Sequence, residues 1–134
     1  MVRVKSKPTA MARVVLCGLD TRSAGQLEGL LVFDVHRVRR WHYLVPVADF
    51  LNADIVFAGG LPGQYLPLLR SLRRINRTLP VIVVAAIPET AAWLDALEAG
   101  ATDYCVPPFD MRQVRCLMAA KTAYPALSAT AAVS

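Results

Sequence analysis

The sequence predicts an α/β domain built on a five-stranded, doubly wound parallel sheet. Three observations carry this. Short unbroken apolar runs rich in β-branched residues recur, RVVLCG at 13–18 and VIVVAA at 81–86; runs of that length without polar alternation read as strands covered on both faces. Stretches of helical apolar spacing separate them, so strand and helix alternate along the chain. Pro80 to Asp110 also holds strand, helix and strand in about thirty residues, a βαβ unit whose crossover is nearly always right-handed.

Taken in order, Arg13–Gly18 is the first strand. Asp20-Thr21 offers a cap, and Ser23–Phe33 puts Leu27, Leu30 and Leu31 on one helical face. Val35–Tyr43 (VHRVRRWHY) is strand-like but charged at both alternations, which only an edge strand tolerates. In the strand order 2-1-3-4-5 the second strand is an edge, so the (βα)5 reading is self-consistent. Val45–Leu51 is a short helix and Asp54–Ala58 the third strand. Gly59–Gly63 is a loop, and Leu66–Asn76 the third helix, with Pro67 in its first turn. After the strand Val81–Ala86, a helix opens at Pro88-Glu89 with Trp93, Leu94, Leu97 and Ala101 at helical spacing. Leu94 and Leu97 are expected to face the sheet, and Gly100 to close the helix. Tyr104–Val106 is the fifth strand, ended by Pro107-Pro108. Met111–Thr122 is the last helix, turning Val114, Leu117 and Met118 inward. Residues 1–10 read as a flexible basic leader, 11–124 as the domain and 125–134 as a flexible tail.

A length of 134 residues allows one domain with a real core. At 55% hydrophobic the chain is not of the disordered class. No apolar run is long enough to span a bilayer, and the basic start runs into the fold without a signal-peptide pattern, so a cytoplasmic protein is expected. Cys17, Cys105 and Cys116 match no metal spacing and read as reduced core thiols. The net charge of +5 favours acidic partners.

The segments "PVIVVAA", "ALEAGATDY" and "PPFD" resemble the fourth strand, fourth helix and fifth strand of a response-regulator receiver domain, a fold of the flavodoxin-like type. "ADIVFAGGLPG" resembles that family's third strand and following loop, and the likeness runs from about Ala12 to Thr122. The resemblance implies a bacterial two-component signalling role. Receivers move a phosphoryl group from a phosphohistidine to an aspartate, with an acidic pair holding Mg²⁺ and a Lys and a Ser or Thr contacting the phosphoryl oxygens. Carried over position by position, the acidic pair falls on Gly18 and Leu19, with only Asp20 beyond. The phosphoacceptor falls on Gly59, the hydroxyl on Ala85 and the lysine on Pro107. The expectation is therefore a degenerate member, a pseudo-receiver that binds no Mg²⁺ or other cofactor, is not an enzyme, and acts by phosphorylation-independent protein–protein interaction.

The family's output surface would present Trp93, Tyr104, Arg112 and Arg115 to a regulatory or sensor protein, with a homodimer through the fourth helix, fifth strand and fifth helix as one form of it. Tyr104 matches the switch aromatic and is expected to keep one rotamer. Two other readings stand beside this. The emptied pocket at Gly18, Gly59 and Ala85, expected to be small, apolar and largely collapsed, would serve a small-ligand sensor. Arg37, Arg39, Arg40 and Trp41, with His36 and His42, would form an anionic-partner patch, with nucleic acid the less favoured occupant. Arg70, Arg73, Arg74 and Arg77 read as solvation of the third helix.

Overall fold

The inner strands are made by the apolar runs. In the computed structural model, which describes residues 11–43, 47–86 and 89–119, the elements are β1 (Arg13–Cys17), α1 (Thr21–Phe33), β2 (Arg37–Trp41), α2 (Val47–Leu51), β3 (Ile55–Ala58), α3 (Pro62–Ile75), β4 (Val81–Val84), α4 (Thr90–Glu98) and β5 (Asp103–Cys105). Residues 111–119 form a last helix, α5. The expected leader and tail, the Pro88 helix start and the last turn toward Thr122 lie outside the described residues.

All strand pairs are parallel, in the order β2-β1-β3-β4-β5. Alternate side chains of the central strands feed two cores. Val14, Leu16, Ile55, Phe57 and Ile82 pack against Leu27 and Leu31 of α1 and Val114, Leu117 and Met118 of α5. Val15, Val56, Val81 and Val83 pack on the other side against Phe50 of α2, Tyr65, Leu69 and Leu72 of α3 and Ala96 of α4. β3 and β4 are buried along their whole length, as strands covered on both faces must be.

Caps fix the ends. Asp20 is the N-cap of α1, its Oδ2 accepting from the Ser23 N–H at 3.3 Å. Gly100, at φ +113°, follows the C-terminus of α4, where a left-handed residue closes the helix. Arg73 does more than solvate α3. Its Nε donates to the Gly100 carbonyl at 2.8 Å and Nη1 to that of Asn76 at 3.0 Å, tying α3 to the α4–β5 turn.

Three expectations need correction. α3 begins at Pro62, not Leu66, so Pro67 lies inside the helix. Pro62 is preset for a first helical position, and the Gln64 side chain accepts from the Leu61 N–H at 2.9 Å, so the loop ends early. In α4 the buried residue is Ala96, whereas Leu94 and Leu97 are exposed. A small side chain on the buried side lets a helix approach a sheet closely, which helical spacing alone does not encode. Cys116 is exposed, while Cys17 and Cys105 are buried.

Candidate functional site

The carboxyl ends of β1, β3 and β4 converge on one cleft. Gly18 leaves β1 at φ +73°, and its N–H donates to the Trp41 carbonyl at 3.0 Å. Gly59 leaves β3 and donates to the Cys17 carbonyl at 2.8 Å, and Ala85 leaves β4 and donates to that of Cys105 at 2.9 Å. Open α/β sheets bind ligands at this end.

The floor of the cleft is filled by side chains. A Cβ on Gly59 would lie 3.2 Å from the Gly18 carbonyl oxygen and the Leu19 Cα, and 3.3 Å from Leu19 Cδ1. A side chain there would need Gly18 and Leu19 to shift by a few tenths of an ångström. Tyr43 lies over the neighbouring glycines: a Cβ on Gly18 would collide with its ring, and one on Gly60 would lie 2.8 Å from its hydroxyl. That hydroxyl is buried without a hydrogen-bond partner among the described residues. Burial first, then Cys17 and Tyr65, pushes the Tyr43 phenol well up.

Above this floor the expected collapse is incomplete. A cleft of about 430 Å³ stays open between Leu19, Asp20, Thr21, Gly60, Leu61, Ala85 and Pro107. Its one carboxylate is Asp20, which already caps α1. The hydrogen bonds from Ser23 hold its pKa below the ordinary value. Mg²⁺ wants several oxygen ligands, and these residues do not fit it. Among the described residues no group of three His, Cys, Asp or Glu side chains could hold a metal ion. Cys17 is no nucleophile either: burial pushes its thiol up to about 12, and its Sγ donates to the His42 carbonyl at 2.9 Å.

The α4–β5 edge differs in character. Trp93 is 43% exposed and Leu94 and Leu97 stand out beside it, so α4 turns an apolar ridge to solvent. Tyr104 is half-buried, and with Trp93, Glu89, Thr90, Asp103 and Val106 it lines a groove of about 370 Å³. Arg112 is exposed on α5. Arg115 faces elsewhere: its Nε and Nη2 each donate to the Asp34 carboxylate at 2.8 Å, locking α5 to the end of α1.

The arginine edge also splits. Arg40 pairs with Glu28 at 3.0 Å, and Trp41 Nε1 donates to Asp49 Oδ2 at 2.7 Å. His36 is buried, its Nδ1 accepting from the Ala12 N–H at 3.0 Å, so it stitches β1 to the start of β2. Arg37 and Arg39 stay exposed, and both line a second cleft with Arg13. Sequence reasoning missed Tyr43 and Arg13. Only the register pairing Arg13 with Arg37 reveals the second of these.

The structure superimposes on the CheY-like response regulator receiver domain protein of Methanospirillum hungatei JF-1 with a TM-score of 0.70, covering 84% of this chain and 94% of that one at 19% identity. The chain has the receiver-type fold. Over 81 residues, 60% of this chain and 32% of the relative, it is 31% identical to the two-component response regulator PhoP of Pseudomonas aeruginosa. Over 95 residues, 70% of the chain and 41% of the relative, it is 33% identical to the KDP operon transcriptional regulatory protein KdpE of Escherichia coli K12. The chain thus spans less than half the length of the curated relatives it matches. No family model matches it. Among its described residues no helix is long and apolar enough to cross a membrane.

Proposed function

We propose that this receiver-type domain is a pseudo-receiver, signalling without phosphorylation by offering a fixed surface to a regulatory or sensor protein. The packing at Gly59 carries the reading. The position that would bear the acceptor has no side chain, and a Cβ there would press on Gly18 and Leu19 at 3.2–3.3 Å. Phosphoryl transfer requires a nucleophile there and charge to steady the phosphoryl oxygens, and Ala85 and Pro107 supply none. The direct test is incubation with acetyl phosphate and Mg²⁺, followed by intact mass measurement. No phosphoryl adduct is expected, and one retained through unfolding on an acidic side chain would defeat the reading.

The surface offered is α4 and β5. Residues 78–111 carry five carboxylates (Glu89, Asp95, Glu98, Asp103 and Asp110) and no lysine or arginine, in a chain whose net charge is +5. An apolar ridge ringed by carboxylates suits a partner that is apolar and basic. It disfavours symmetric pairing of α4 with itself, because like charges would meet across the two-fold axis. In this reading Tyr104, which lines the same groove as Trp93, stays in one rotamer, and contact is constitutive.

A small-ligand sensor is the second reading, and the open cleft above Leu19 is what favours it. An Ala85→Phe substitution, which fills that cleft, separates the two. It leaves partner capture intact under the first and abolishes signalling under the second.

A further inference from the structure

We propose that the cleft beside β2, on the face covered by α2, is a binding site for a small molecule carrying two or more linked phosphoryl groups. The argument begins with register. Arg13 of β1 stands directly opposite Arg37 of β2, and Arg39 follows two residues later opposite Val15. Alternation puts all three on one face of the sheet, and all three line a single cleft of about 350 Å³. α2, the helix on that side, is only five residues long and leaves the cleft uncovered.

These arginines stand apart from their neighbours. Arg40 is engaged by Glu28, Arg73 by backbone carbonyls and Arg115 by Asp34. None of Arg13, Arg37 and Arg39 makes a side-chain hydrogen bond or ion pair among the described residues. The nearby carboxylates have other work. Asp49 lines the cleft but accepts from Trp41 Nε1, and Asp54 accepts from the Arg13 backbone N–H at 2.8 Å. Like charges directly opposite on neighbouring strands destabilise a sheet. Three arginines lining one concavity with a single, already engaged carboxylate therefore form a site whose cost is offset when an anion is bound.

The ligand class follows from the donors and the space. Guanidinium forks match phosphate oxygens bidentately. Three of them around one carboxylate call for an anion of charge well beyond that of a single carboxylate. The volume lies near the lower end of the roughly 300–1,000 Å³ usual for small-molecule pockets, so it fits a compact ligand rather than a polymer strand. The site is distinct from the cleft above Gly59: Arg13 opens β1, whereas Gly18 follows its far end.

The test uses calorimetric titration and thermal melting of the whole chain with inorganic pyrophosphate, ATP, orthophosphate and sulfate. Pyrophosphate or ATP should raise the melting temperature and bind measurably more tightly than orthophosphate or sulfate. Tighter ATP identifies a nucleoside polyphosphate, and tighter pyrophosphate an inorganic one. Arg37→Gln and Arg39→Gln should each weaken binding about tenfold or more, and Arg40→Gln should not. Without ligand, Arg37→Gln should melt no lower than wild type, since it removes the repulsion with Arg13 and shows that the variant folds. Four outcomes would each overturn the proposal: no binding at millimolar pyrophosphate; orthophosphate or sulfate binding as well as pyrophosphate; equal binding by wild type and Arg37→Gln; or loss of binding with Arg40→Gln alone.

Discussion

Replacing Gly18 by alanine should expose how the carboxyl end of the sheet is held together. Gly18 has φ +73°, and holding an L-residue there costs about 1–2 kcal/mol. The added methyl would also strike the Tyr43 ring. Displacing a well-packed side chain costs about 1–3 kcal/mol more. Gly18→Ala should therefore lose about 3 kcal/mol in urea unfolding, a large share of a small domain's stability. In a Tyr43→Ala background only the backbone part remains, so the same substitution should cost about 1–2 kcal/mol. The difference is the coupling energy that a double-mutant cycle reads. Equal costs in both backgrounds would mean that the ring does not cover Gly18, and the account of the filled floor would fail.

Val35, exposed in the turn into β2, sits at φ 67°, which a β-branched residue rarely adopts. Val35→Asn should raise stability by about 1 kcal/mol in the same assay, and a loss would show the turn to be otherwise constrained. Ala96→Leu should cost about 1–3 kcal/mol by overpacking the buried side of α4, whereas Trp93→Ala should stay within about 1 kcal/mol; the reverse ranking would overturn the facing of that helix. Burial raises the thiols of Cys17 and Cys105 from 9.0 to about 12, with Asp103 adding to the shift of Cys105. Unfolded thiols then ionise before folded ones. The preference for the folded state should be whole below pH 9 and fall as pH climbs toward 12. Urea midpoints across that range should drop, and drop less in Cys17→Ala; equal slopes would contradict the burial of this thiol.

Strand order and most elements were legible because the signals are local. β-branched runs are too short to be helices, charges at both alternations betray an edge, and Gly100 announces a helix end. The facing of α4 was not legible, because Leu94 and Leu97 satisfy helical spacing as well as Ala96 does. What tells them apart is how near the helix can approach the sheet, a tertiary quantity. The start of α3 was missed because two prolines compete for the first turn, and Gln64 decides for Pro62 by a hydrogen bond. At the site, the places of Gly18, Gly59 and Ala85 at the carboxyl ends of β1, β3 and β4 could be read from the apolar runs. Tyr43 could not, because nothing in VHRVRRWHY says which aromatic folds back over Gly18. Arg13 was hidden for a related reason: it joins Arg37 and Arg39 only through a pairing between residues 24 positions apart.

The central claim is that signalling runs through a surface contact and not through a phosphoryl group. Affinity capture from the native lysate tests it most directly, with four baits: wild type and a Trp93→Ala, Tyr104→Ala double variant, each with and without prior treatment by acetyl phosphate and Mg²⁺. The account predicts one partner held by wild type equally under both treatments and lost from the double variant, with the variant's melting curve near that of wild type. A partner that appears or leaves only on acetyl phosphate treatment would contradict it, as would one held equally by both baits.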